Sequence, residues 1–183
     1  MNATRAIEFP PHGVVEPLVP ALLRERGISL RHAEAGDVPF LRRLYASLRE
    51  EELAAVPWPQ AAKQAFLDSQ FSLQHLHYVG HYREADFLLV EHHGKPIGRY
   101  YLLRNELDFL IIDISLENRW HGQGIASALI RQTQHEAGEH GTGVQLHVQY
   151  GNDGARRLYE RLGFRPVADE GSHQRMRWAP VAD

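Results

Sequence analysis

Residues 118–130 read NRWHGQGIASALI, and Gly122 and Gly124 stand just ahead of an apolar-rich, helix-like run. A helix N-terminus carries about half a positive charge and several N–H groups with no intrahelical partner. Glycines ahead of it remove the side chains that would keep an anionic oxygen away from those donors. The preceding segment LDFLIIDISL reads as an apolar strand, so strand, glycine loop and helix together make a cradle suited to a phosphate or diphosphate. Two standard phosphate motifs do not fit. HGQGIA lacks the Gly-Lys-Ser/Thr of a P-loop, and Ser127 stands where a dinucleotide fingerprint needs its third glycine. A helix that merely begins in a tight turn is the other reading of the same residues.

Other chemistry-bearing residues are the carboxylates Asp108 and Asp113 of that strand and the histidines, twelve in all. Period-two alternation places Asp108 and Asp113 on opposite faces. HLHYVGH offers His75, His77 and His81, and His92 adjoins His93. A metal centre needs three or four convergent ligands, and adjacent histidines in extended chain point apart, so no metal is expected. The absence of cysteine excludes disulfides, thiolate metal sites and a cysteine nucleophile.

The elements that must position these groups are legible from periodicity. ISLRHA alternates as a strand, and VPFLRRLYASLR is a helix with Asp37 as its N-cap. A second helix runs from about Gln60 to Ser72, while SLQHLHYVGHYRE is ambiguous. Strands ADFLLVEHH and IGRYYLLRN flank a turn at Gly94-Lys95-Pro96, and LDFLIIDISL follows. A helix spans Gly124 to about Gly138, VQLHVQ is a strand, and NDGARRLYERLG is a helix capped by Asn152 and closed by Gly163. FRPV and HQRMRW finish the domain as strands. The expected fold is α/β: a mixed, mostly antiparallel sheet flanked by helices.

Residues 1–27 are Pro-rich, then briefly helical at ALLRERG, and are expected to form an N-terminal arm. The arm packs on a domain of residues 28–180 or on a second copy in a homodimer. A hydrophobic fraction of 43% and a charged fraction of 23% are ordinary globular values. The formal net charge of −3 argues against a broad nucleic-acid surface. No apolar h-region opens the chain and no run of about 18 apolar residues occurs, so the expectation is a soluble cytoplasmic protein without membrane contact.

The loop His121-Gly122-Gln123-Gly124-Ile125-Ala126 resembles that of the GNAT (Gcn5-related N-acetyltransferase) superfamily. There a Gln/Arg-x-x-Gly-x-Gly/Ala motif follows a strand and holds the pyrophosphate of acetyl-CoA with main-chain amides. His121 departs from the Gln/Arg position. An offset match, Arg119-x-x-Gly122-x-Gly124, also exists, and spacing from the strand favours the first register. NDGARRLYERLGFRPV likewise resembles the family's Asn-x-x-Ala-x-x-x-Tyr-x-x-x-Gly-Phe segment, with Asn152, Ala155, Tyr159, Gly163 and Phe164 in place. The resemblance spans roughly residues 28–180.

The resemblance implies transfer of acetyl from acetyl-CoA to a primary amine by direct attack, with a small molecule favoured slightly over a protein as acceptor. The alternative is a non-catalytic acyl-CoA-binding module. Asp113, Ile114 and Ser115 are implied to contact pantetheine and the acetyl group through their main chain, and Asn152 to lie at the coenzyme. Tyr159 occupies the position that protonates the departing sulfur; Ala155, one turn earlier, leaves room for the pantetheine arm. The amine must lose a proton before attack. Asp108 is favoured as its base, with Glu106 and a water relay left open. Trp58 to Tyr82 matches the acceptor side of the family, and the acidic run Glu50–Glu52 reads either as a charge that attracts a cationic amine or as a solvated helix end. Gly124→Asp puts a side chain and a negative charge at the cradle, so isothermal titration is expected to show acetyl-CoA affinity lowered by about tenfold or more. Unchanged affinity would place the coenzyme elsewhere.

Overall fold

The apolar residues of DFLLVEH, KPIGRYYLL and DFLIIDISL sort to the two faces of one seven-stranded sheet. A computed structural model describes residues 8–11 and 16–180. Its strands are β1 (Ile28–His32), β2 (Asp86–His92), β3 (Lys95–Leu103), β4 (Asp108–Leu116), β5 (Gly143–Gln149), β6 (Arg165–Glu170) and β7 (His173–Trp178). The helices are α1 (Ala21–Glu25), α2 (Val38–Ser47), α3 (Glu50–Ala54), α4 (Gln60–His81), α5 (Ile125–Glu139) and α6 (Asp153–Arg161). Strand order is β1-β2-β3-β4-β5-β7-β6. Every pairing is antiparallel except the central one between β4 and β5.

One face of the sheet is covered by α1, α5 and α6, through Leu23, Ile125, Leu129, Ile130 and Tyr159. Helices α2 and α4 cover the other through Leu41, Tyr45, Leu67 and Phe71, packed on Phe87, Leu89 and Tyr101. The buried stripe of α4, Leu67-Phe71-His75, has the spacing of one helix face and carries the helix through the ambiguous segment to His81. The β2–β3 hairpin turns on His93 and Gly94, with φ of 49° and 74°, the signs of a type I′ turn. Lys95 and Pro96, expected in that turn, already pair in β3. Asp37 does not cap α2 with its side chain. Its carboxylate instead takes Arg31 at 2.7 Å and the Glu34 N–H at 2.8 Å. The described part of the N-terminal segment is packed down: Leu23 is fully buried and Phe9 lies against His75 and Phe87.

Two irregularities shape the middle of the sheet. Tyr101 pairs with Asp113 and Leu102 with Ile111, so Ile112 is an extra residue in β4. Alternation therefore breaks there. Ile111 faces the α5 side, while Ile112 and then Asp113 both turn to the α4 side. Asp108, next to Phe109 of the α5-side core, also turns to the α4 side. The bulge thus puts the two carboxylates on the same face, contrary to simple period-two counting. Secondly, β4 and β5 pair only over Asp108–Ile111 and Gly143–Leu146. Beyond those residues the two strands part. Among the described residues no helix is long and apolar enough to cross a membrane.

His75 is fully buried, stacked on Phe71, with neither ring nitrogen hydrogen-bonded among the described residues. Burial, with Arg99 and Arg42 nearby, pushes the ring from 6.5 down to about 4. The unfolded chain therefore binds a proton that the folded chain refuses between those values, so stability is complete above pH 6.5 and falls as pH drops toward 4. Chemical denaturation is expected to show about 2 kcal/mol lost between about pH 7 and pH 5 from this group, and His75→Leu is expected to flatten that part of the curve. An identical loss in the variant would contradict the assignment.

Candidate active site

After β4 the chain makes a single 3-10 turn over Asn118–Trp120, runs extended through His121, and enters α5 at Ile125. Gly122 and Gly124 have φ of 71° and 79°, a region costly for residues with a Cβ. A Cβ built on either would meet nothing within 4 Å, so the dihedral angle demands glycine and the space beside the loop is open. The first main-chain N–H of α5 with a partner is that of Ala128, bonded to the Gly124 carbonyl at 3.0 Å. The N–H groups of residues 122–127 have no acceptor within the described protein. Six donors at the positive end of a fifteen-residue helix fit a diphosphate.

The side chains around this loop hold it rather than face its open side. His121 Nε2 donates to the Leu116 carbonyl at 2.8 Å, which fixes the proton on that nitrogen and ties the loop back to β4. Gln123 Nε2 donates to the Arg119 carbonyl at 2.7 Å. Ile125 is buried, and Ala126 packs on the same core.

The second half of β4 lines the parting from β5. Asp113 accepts from Arg99 Nε at 3.1 Å and Nη2 at 2.7 Å, from the Tyr78 hydroxyl at 3.1 Å and from Ser115 Oγ at 2.6 Å. Arg99 is 2% exposed and also reaches Gln74 Oε1 at 2.8 Å. Ile114 turns the other way, into the α5-side core. The β4 residues 113–116 pair with β3 on one edge only, which leaves their main-chain groups on the β5 side unpaired by a strand.

Tyr159 approaches the same region from α6. Its ring is buried, 8% exposed, and its hydroxyl makes no hydrogen bond to any described residue. Burial first, and then the charge of Asp113, pushes it up to about 12, so it stays protonated. Asn152 caps α6, with Oδ1 accepting the Ala155 N–H at 3.1 Å. That oxygen serves the helix rather than a ligand.

Asp108 lies at the other end of β4, where β4, β5 and β7 meet. Arg177 grips it through Nε and Nη2, both at 2.8 Å, while Gly143 N–H and Gln145 Nε2 donate at 2.8 and 2.6 Å. The Arg177 guanidinium, with Gln145 and the Gly143 N–H, holds its carboxyl below the usual carboxylate range. A carboxylate with four donors is a poor proton acceptor.

Periodicity and motif matching did not find Arg99, Tyr78 or Arg177. A signal for the first existed: Arg99 and Asp113 are charges in the interior of two neighbouring apolar strands, and buried charges pair. Among the described residues no three His, Cys, Asp or Glu side chains are grouped to hold a metal ion. His92 and His93, rather than pointing apart, stand 4.2 Å ring to ring because His93 is left-handed. In the region expected on the acceptor side, Trp58 packs edge-on to Phe66 and Glu50–Glu52 are exposed on α3.

Residues 41–164 match the model of the acetyltransferase (GNAT) family. The chain belongs to that family. It is an acyltransferase by membership, and its mixed sheet with flanking helices is the GNAT fold. Comparison with curated proteins gives no sequence match. Among solved structures, the PaiA N-acetyltransferase of Thermoplasma acidophilum in complex with coenzyme A superposes with a TM-score of 0.63 at 15% identity, over 84% of this chain and 99% of that one. YncA of Salmonella typhimurium with acetyl-CoA gives 0.50 at 16%, over 84% and 94%. The ribosomal L7/L12 α-N-protein acetyltransferase RimL in complex with coenzyme A gives 0.56 at 17%, over 86% and 96%. At these identities the likeness is one of fold.

Replacing Asp108 by Asn removes the charge that Arg177 faces. Denaturant unfolding at neutral pH is expected to show a loss of about 2 kcal/mol. The folded pKa lies below the ordinary 3.8, so the Asp108 contribution is complete above that value and disappears as pH falls through the lower folded one. The gap between parent and variant closes over the same range. A variant of parental stability and much lower turnover would restore Asp108 as a proton acceptor.

Proposed function

We propose that this GNAT enzyme transfers the acetyl group of acetyl-CoA to the primary amine of a small molecule, by direct attack without a covalent enzyme intermediate. The observation that carries the reading is the set of unpaired N–H groups over residues 122–127, beside the parting of β4 and β5, with the free Tyr159 hydroxyl on α6. Acetyl-CoA supplies an acyl group already activated as a thioester.

The chain's own groups then divide the work. Main-chain donors of Gly122, Gln123, Gly124, Ile125 and Ala126 hold the diphosphate, with His121 fastening the loop that presents them. Unpaired main-chain groups of Asp113, Ile114 and Ser115 align the acyl arm in the gap, and an N–H there polarises the carbonyl oxygen. Tyr159 keeps its proton in this buried setting and donates a hydrogen bond where sulfur charge develops. A phenol near 12 does not release its proton readily to an ordinary thiolate of about 8.5, so hydrogen-bond donation precedes any transfer.

Neither β4 carboxylate is free to take the amine proton. Asp108 serves as a joint between strands, and Asp113 is occupied by Arg99, Tyr78 and Ser115. The amine proton then goes to water or to Glu106, which is exposed in the loop ahead of β4. The acidic α3 and the net charge of −3 favour a cationic amine over an acidic one, and the absence of a peptide-groove signature in the sequence favours a small acceptor over a protein.

Thiol release from acetyl-CoA in the presence of an amine panel tests the reading. Turnover with at least one small primary amine is expected, and Tyr159→Phe is expected to lower it about 10- to 100-fold with acetyl-CoA affinity within about threefold of the parent. Binding of acetyl-CoA with no amine-dependent release would leave an acyl-CoA-binding module. Unchanged turnover in the variant would remove Tyr159 from the mechanism.

A further inference from the structure

We infer that Arg26, at the end of α1, is a positioning residue that holds the Gln123–Gly124 peptide of the donor loop with its N–H turned toward the anion. The inference rests on the coenzyme reading of that loop. It concerns a residue outside the 41–164 segment that matches the family model.

Arg26 Nη1 donates to the Gln123 carbonyl at 2.9 Å, across 97 residues of sequence, and Nη2 lies 3.5 Å from Gln123 Oε1. In a trans peptide the C=O and the following N–H point in opposite directions. Fastening the Gln123 oxygen on the Arg26 side therefore sends the Gly124 N–H to the opposite side of the loop. The tether matters because Gly124 is left-handed, and so is Gly122 one residue before Gln123. Glycine adopts either sign of φ at little cost, so a peptide beside it flips easily. Once flipped, the Gln123–Gly124 unit would show a carbonyl oxygen to the anion in place of a donor. The Gln123 side chain, bonded to the Arg119 carbonyl, leaves that rotation unrestrained.

Arg26 is itself held from two sides. Leu23, one turn earlier, is fully buried in the same core as Ile125 and Leu129. After Arg26 the chain turns sharply at Gly27, with φ of 72°, and the Gly27 carbonyl accepts the His93 N–H at 2.8 Å. A Cβ at Gly27 would lie 2.3 Å from the His93 ring, so the turn sits directly on the β2–β3 hairpin. The N-terminal segment thus delivers one guanidinium to one carbonyl of the loop.

The test is titration of the full chain with CoA by calorimetry at about 0.05 and 0.5 M salt, for the parent, Arg26→Met and Arg26→Lys. It is paired with thermal melts and the amide resonance of Gly124. Arg26→Met is expected to bind CoA about tenfold more weakly at both salt concentrations, with an unchanged melting temperature and a displaced Gly124 resonance in the free protein. Arg26→Lys, which keeps a donor, is expected to recover most of the affinity. CoA binding by Arg26→Met equal to the parent's would overturn the inference while leaving the loop reading intact. A deficit that disappears at high salt would overturn it too, because Arg26 would then act as a charge on the phosphate. No CoA binding by the parent would instead overturn the coenzyme reading on which the inference stands.

Discussion

A parallel strand pair closed at one end and open at the other is what the rest of this molecule depends on. At the closed end, Asp108 takes Arg177 from β7 and Gly143 and Gln145 from β5, which fastens three strands to one carboxylate. Four paired positions later the ladder stops, and β4 and β5 diverge with main-chain groups facing the gap. A flat, fully paired sheet would leave no such groups for a ligand. The extra residue at Ile112 contributes by turning Asp113 toward α4, where Arg99 and Tyr78 receive it, and by returning Ile114 to the α5 side.

At the mouth of that gap, the loop into α5 adds a second set of unpaired donors. Residues 121–124 are exposed, so the N–H groups of Gly122, Gln123 and Gly124 are open to solvent and the fold bears no large desolvation penalty for leaving them unbonded. An anion that replaces the water gains charge-assisted bonds and the field of the helix together. His121 to the Leu116 carbonyl, Gln123 to the Arg119 carbonyl and Arg26 to the Gln123 carbonyl together keep the loop in one shape before any ligand arrives. Preorganisation of this kind lowers the entropy lost on binding.

Much of this was legible in the sequence because it is written in local chemistry. Gly122 and Gly124 announce left-handed backbone, the helix stripe from Ile125 to Ala137 is periodic, and Asn152 through Phe164 reads as a capped helix with a glycine stop. Apart from the short α3, which periodicity did not separate, the order of strands and helices after Ile28 follows from alternation and turn residues. What stayed hidden depends on partners distant in sequence. A bulge at Ile112 has no composition signal, so counting by twos put Asp108 and Asp113 on opposite faces. The saturation of Asp108 requires Arg177, 69 residues away. Helix α4 outran its expected end because polar Gln74 and Tyr78 look outward in sequence yet point to Arg99 and Asp113 in the fold. Asp37 read as a helix cap by its neighbours but is claimed by Arg31 across a turn.

The most direct measurement is a crystal structure of the protein with bound CoA. The account predicts diphosphate oxygens at about 3 Å from main-chain nitrogens within residues 122–127, and the coenzyme sulfur within hydrogen-bond reach of the Tyr159 hydroxyl. A coenzyme seated away from this loop, or a sulfur remote from Tyr159, would contradict it.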